Sequence, residues 1–179
     1  MRYSVAQWIE FRGVRRGLVW QSDDETPAKG DTDGVLVDDG GRIVWARTPR
    51  ELTELAEQYG VTLEEDVPSE LVNLDGSEKL LALPISDDIC NQLINAWNLL
   101  GDVARSVGAS LDDRGADKDR CYEKLFAGMN LKIYTAPGEH YAPHFKKSEK
   151  RLIKEVFNRG RIILDARLQE RTTAQEQAP

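Results

Sequence analysis

The chain has 179 residues, of which 40% are hydrophobic and 31% charged, and its formal net charge is −7. Four Trp, five Tyr and four Phe supply bulky apolar area, which excludes wholesale disorder and suffices for one core. No apolar run approaches the ~20 residues that span a bilayer, and the opening MRYSVAQWIEF lacks the apolar stretch of a secretory signal, so a cytoplasmic location is expected.

In chain order, residues 3–9 and 17–21 read as short strands rich in Val, Ile, Tyr and Trp. A loop follows over 22–34, punctuated by Pro27, Gly30 and Gly34. Val35–Val37 and Ile43–Trp45 flank Asp38-Asp39-Gly40-Gly41 in the pattern of a β-hairpin. Thr48 and Pro49 open a helix, with Glu51 placed for a capping box and Gly60 for the stop. Val61–Leu63 is expected to be a short extended piece.

The central helix is expected from an N-cap at Ser86 to a stop at Gly108. Its apolar stripe is Ile89, Leu93, Ala96, Trp97, Leu100, Val103, Ala104 and Val107. A short helix should run from near Asp117 to Gly128, carrying Cys121, Tyr122, Leu125 and Phe126. After a Pro/Gly-containing loop, Ser148 is placed to cap a basic helix that buries Leu152, Ile153, Val156 and Phe157, with Gly160 as a potential break. Strands first and helices later imply an α+β fold, an antiparallel sheet from the N-terminal half with helices packed on it. One domain is expected over 1–171, with 172–179 as a disordered tail. Trp20, Trp45 and Trp97 lie in apolar stretches and are expected in the core, whereas Trp8 fits either core or surface.

Charge is unevenly spread. From Asp23 to Glu78 there are 16 acidic side chains against four basic ones, so this segment is strongly negative while the remainder is slightly positive. Such a field draws in cationic partners and repels nucleic acid. A basic set at the two ends, including Arg12, Arg15, Arg16, Lys150 and Arg161, allows a nucleic-acid-associated adaptor as an alternative. The acidic balance argues against direct nucleic-acid binding, and pairing of the basic C-terminal helix with the acidic segment is the simpler expectation.

Catalytic patterns are weak. His140 and His144 have H-x-x-x-H spacing, but Pro143 between them opposes a regular helix. Asp31-x-Asp33, Asp38-Asp39 and the group Asp112, Asp113, Asp117 and Asp119 would offer oxygen ligands to a metal-dependent hydrolase, the other alternative. An EF-hand count from Asp112 fails at Arg114, Ala116 and Asp117. Cys90 and Cys121 have no metal or redox spacing and read as small buried hydrophobes. Neither a reaction nor a cofactor is expected.

Residues 86–107, with Asn-Ala-Trp-Asn-Leu at 95–99, and residues 121–145, with Tyr122-x-Lys124-Leu125-Phe126, together with the helix ending Glu57-Gln58-Tyr59-Gly60-Val61, resemble small bacterial immunity proteins of contact-dependent growth inhibition. The likeness covers about two thirds of the chain, and the acidic loop at 23–34 falls outside it. It implies a non-enzyme that binds and neutralises the toxic domain of a cognate partner protein, often a nuclease with a cationic cleft. The toxin-binding residues expected from the acidic segment are Asp23, Asp24, Asp31, Asp33, Asp38, Asp39, Glu64, Glu65 and Asp66, with an aromatic side chain as anchor.

Overall fold

The computed structural model describes residues 2–23, 33–64, 67 and 70–168. Two ten-residue strands, β1 (Arg2–Phe11) and β2 (Val14–Asp23), form an antiparallel hairpin in continuous register from Arg2↔Asp23 to Phe11↔Val14. Its two-residue turn holds Arg12 at φ 53° and Gly13 at φ 66°, the doubly left-handed geometry that matches strand twist. The Asp75 carboxylate accepts the N–H groups of both turn residues at 2.8 Å.

Along the other edge of β2 run β3 (Gly34–Val35) and β4 (Trp45–Ala46), both antiparallel to it. Between them the expected 35–45 hairpin forms, closed by the Val37↔Ile43 bridge and by backbone bonds from the Val44 N–H to Leu36 at 3.0 Å and from the Asp38 N–H to Arg42 at 2.9 Å, while its outer ends pair with β2. The short β5 (Val72–Asn73) lies parallel to β1, giving a mixed and mostly antiparallel five-stranded sheet.

Helix α1 (Pro49–Gln58) starts at the expected capping box. Thr48 accepts the Glu51 N–H at 3.3 Å, and Glu51 accepts the Thr48 N–H at 3.3 Å. Its Leu52 and Ala56 cover one sheet face at Val19 and Ala46. The opposite face, with Ile9, Phe11, Leu18 and Trp45, packs against α3 (Asp87–Ser106), onto which α4 (Ala116–Ala127), α5 (Lys147–Arg167) and the single turn α2 (Ser77–Leu80) pack in turn. Together these elements make an α+β fold. Every residue of the expected α3 stripe is buried except the half-buried Val107, and Ser86 caps the helix through its side chain.

Three expectations need correction. Helix α5 begins after Lys146, whose N–H is accepted by Glu149, so Ser148 is inside the helix. Gly160 does not break α5. It lets the helix approach α3, since a Cβ there would stand 2.8 Å from Leu100. Trp20 is only partly buried, whereas Trp8, Trp45 and Trp97 belong to the core. The tail expected at 172–179 lies outside the described residues.

Cys90 and Cys121 are free and buried, as read from the sequence. Burial, with help from Asp87, pushes the Cys90 thiol up to about 11.

A carboxylate-lined groove along the central helix

Helix α3 is apolar on the sides that meet the sheet, α4 and α5, but one stripe is polar. Asn91, Asn95, Asn98 and Asp102 follow one another at helical spacings of four, three and four residues. The stripe borders a cleft of about 510 Å³ whose other wall is the end of the β1–β2 hairpin, with Tyr3, Val5, Gln7 and Trp20. A second cavity of about 360 Å³ shares Trp20, Asn98 and Asp102 and continues toward Asp33, Arg105, Asp113, Arg114 and Asp119. The two adjoin at Trp20, Asn98 and Asp102, and their linings together, called the groove below, hold five carboxylates (Glu70, Asp33, Asp102, Asp113 and Asp119) and two guanidinium groups (Arg105 and Arg114).

Hydrogen bonds fix the lining. Trp20 donates its indole N–H to Asp102 at 2.8 Å, and Arg105 donates to the other Asp102 oxygen at 3.0 Å. Arg105 also donates to the Asp33 carbonyl, tying the segment before β3 to α3. Burial pushes the Asp102 carboxyl above the ordinary carboxylate range despite these bonds. Asn91 and Asn95 both donate to Glu70, at 3.1 and 3.4 Å. Tyr122 donates its hydroxyl to Asn98 at 2.9 Å, so the two stretches quoted for the family likeness meet across this groove.

The expected binding residues are distributed differently. Asp33 lies in the groove lining. Asp38 sits in the 38–41 turn, where it accepts N–H groups from Gly40 and Arg42 at 2.9 Å and pairs with the Arg42 guanidinium at 2.6 Å. Those bonds, led by the Arg42 backbone N–H, hold its carboxyl below the usual range. Asp39 is exposed at the same turn, and Glu64 is an exposed residue whose backbone N–H donates to Ser4. Asp23 is the last residue of β2. Asp24, Asp31, Glu65 and Asp66 lie outside the described residues.

Sequence reading missed Glu70, Asn91, Asn95 and Asp102 as lining residues. The available signal was the polar stripe interrupting an otherwise apolar helix.

His140 bonds Asp87 at 2.9 Å. Among the described residues no group of three or more His, Cys, Asp or Glu side chains is placed to hold a metal ion. No helix among them is long and apolar enough to cross a membrane. A separate exposed apolar surface gathers Phe126, Leu131, Tyr134 and Tyr141 around the loop after α4. Compared with family models, curated proteins and solved structures, the chain matches none of them.

Proposed function

We propose that this chain is a cytoplasmic immunity-type inhibitor that neutralises a cationic toxin domain by docking over the α3 groove. The observation that carries the reading is the concentration of five carboxylates and the partly exposed Trp20 in that groove. Carboxylates set in a concave, low-dielectric wall focus the negative field and speed encounter with a basic surface. A half-exposed Trp beside them is the kind of anchor that concentrates binding energy. An inhibitor seated on a nuclease cleft through such a face would occupy the positions of the substrate phosphates.

The test is co-expression with the C-terminal domain of a secreted toxin, should the neighbouring gene encode one, followed by association kinetics at several salt concentrations. Rescue of growth is expected. The double reversal Asp33→Lys/Asp119→Lys should slow association roughly tenfold at low salt and flatten its salt dependence. Unchanged low-salt association for that variant overturns the assignment of this face.

A further inference from the structure

The geometry points to a socket for a single arginine side chain of the partner, between Trp20 and the Asn91–Asn95 part of α3. This inference rests on the docking role of the groove and names the group that would fill it.

The socket is rich in acceptors. Asn91 and Asn95 turn their amide nitrogens to Glu70, and the Gln7 amide nitrogen is held by the Trp8 and Glu70 carbonyls at 3.0 and 2.9 Å. The Trp20 indole N–H is spent on Asp102. The amide oxygens of Gln7, Asn91 and Asn95 have no donor among the described residues, and they stand beside the Glu70 carboxylate in the same 510 Å³ cleft. Such a wall selects a ligand with several N–H groups and positive charge. A guanidinium has five donors in a rigid plane, whereas an ammonium offers three from one point. Two acceptors one helical turn apart, about 6 Å, can meet two edges of that plane. The Trp20 ring, set edge-on to Tyr3 at 5.6 Å and held by Asp102 about two helical turns beyond Asn95, offers its surface to the arginine's methylene stem while the guanidinium reaches the Asn91–Asn95 pair. Val5, Val72 and Leu99 line the rest of the cleft and suit the methylene stem. A phosphate or other anion would meet the Glu70 carboxylate and unshared amide oxygens, and is disfavoured.

The experiment uses the full chain and three capped tripeptides, Gly-Arg-Gly, Gly-Lys-Gly and Gly-citrulline-Gly. Binding is followed by the NMR side-chain amide signals of Asn91 and Asn95 and the Trp20 indole N–H. Saturable shifts in the millimolar range are expected for the arginine peptide, at least about tenfold weaker for citrulline, which has the shape without the charge, and about threefold weaker for lysine. Asn95→Leu and Glu70→Gln should each abolish the arginine preference, while Asp39→Asn, on the distant turn, should leave it intact. Glu70 is exposed, so Glu70→Gln keeps the test valid should Asn95→Leu disturb packing. Equal binding of the three peptides, or wild-type arginine binding by both socket variants, overturns the socket. If arginine shows no preference yet the Asp33→Lys/Asp119→Lys reversal still slows partner association, the socket fails and the docking face stands. If arginine binds as expected and co-expression gives no rescue, the docking role fails instead.

Discussion

Asp102 offers a sharp test of how the groove is held. It is 8% exposed and accepts from both Trp20 and Arg105. Burial raises its pKa, outweighing the two bonds and the Arg105 charge. The native state therefore binds this proton more tightly than the unfolded chain. Between the unfolded and the raised native pKa the folded form carries more protons, so the Asp102 contribution to stability falls as pH rises through that window. Above it the ionised group is a constant cost. Asp102→Asn keeps an acceptor for Trp20 and removes the buried charge, whereas Asp102→Leu takes the acceptor from the Trp20 indole N–H and leaves Arg105 with its bond to the Asp33 carbonyl. An unpaired buried donor costs about 1–3 kcal/mol. Arg105 can turn partly to water, so about 2–3 kcal/mol is expected for the Leu variant. The Asn variant should stay within about 1 kcal/mol of wild type at neutral pH. Urea unfolding, followed by circular dichroism at neutral pH and at steps down to pH 4, measures both. As pH falls through the native pKa, wild type regains stability that the Asn variant cannot, so the difference should move in favour of wild type. An Asn variant as damaged as the Leu variant at neutral pH, or a difference insensitive to pH, refutes this account of a desolvated carboxylate.

Two glycines in the helices make a matched pair. Gly160→Ala places a Cβ 2.8 Å from Leu100, and overpacking of about 1–3 kcal/mol should outweigh a helix-propensity gain of about 1 kcal/mol. Gly101→Ala meets only Leu111, at 3.9 Å, and should raise the urea midpoint. At the β1–β2 turn, Asp75→Ala removes the acceptor of two backbone N–H groups. Stability should drop by about 1–2 kcal/mol, with faster hydrogen exchange at Arg12 and Gly13 than at the hairpin's centre.

Most of the fold was legible wherever local chemistry and tertiary packing ask for the same thing. The Thr48–Glu51 box, the Ser86 cap and the α3 stripe form as read because side-chain spacing, cap and burial agree. The turn Arg12-Gly13 escaped because arginine is an unusual residue at φ 53° and the signal reduced to one glycine. Strand β5 and helix α2, two and four residues long, are set by what they touch and leave almost no periodicity. Gly160 was misread for a related reason, since its space is dictated by Leu100 on another helix. The acidic segment was visible as charge, but charge alone does not say what each carboxylate touches. Asp38, Glu51 and Asp75 serve a turn, a cap and a hairpin end, and Glu54 and Glu78 pair with Arg50 and Arg161. Among the expected binding residues that are described, Asp33 lines the groove.

The asparagine stripe tests whether the groove is there for a ligand or for the fold. Asn is a poorer helix former than Leu or Ala by about 0.5 kcal/mol per position, so Asn91 and Asn95 together burden α3 by about 1 kcal/mol. Their bonds to Glu70, an exposed residue, return only a few tenths each. Leu at both positions would extend the apolar lining of Val5, Val72 and Leu99 and bury methylenes that stabilise by about 0.8 kcal/mol each. Asn91→Leu/Asn95→Leu is therefore expected to raise stability by about 1–2 kcal/mol while removing the arginine-peptide response, the trade expected where a site is kept polar at the expense of the fold. Chemical unfolding and the peptide titration read the two effects separately. A double variant less stable than wild type by about 1 kcal/mol or more would mean that the amides hold α3 to the Glu70 segment, and the polar stripe would then need no ligand to account for it.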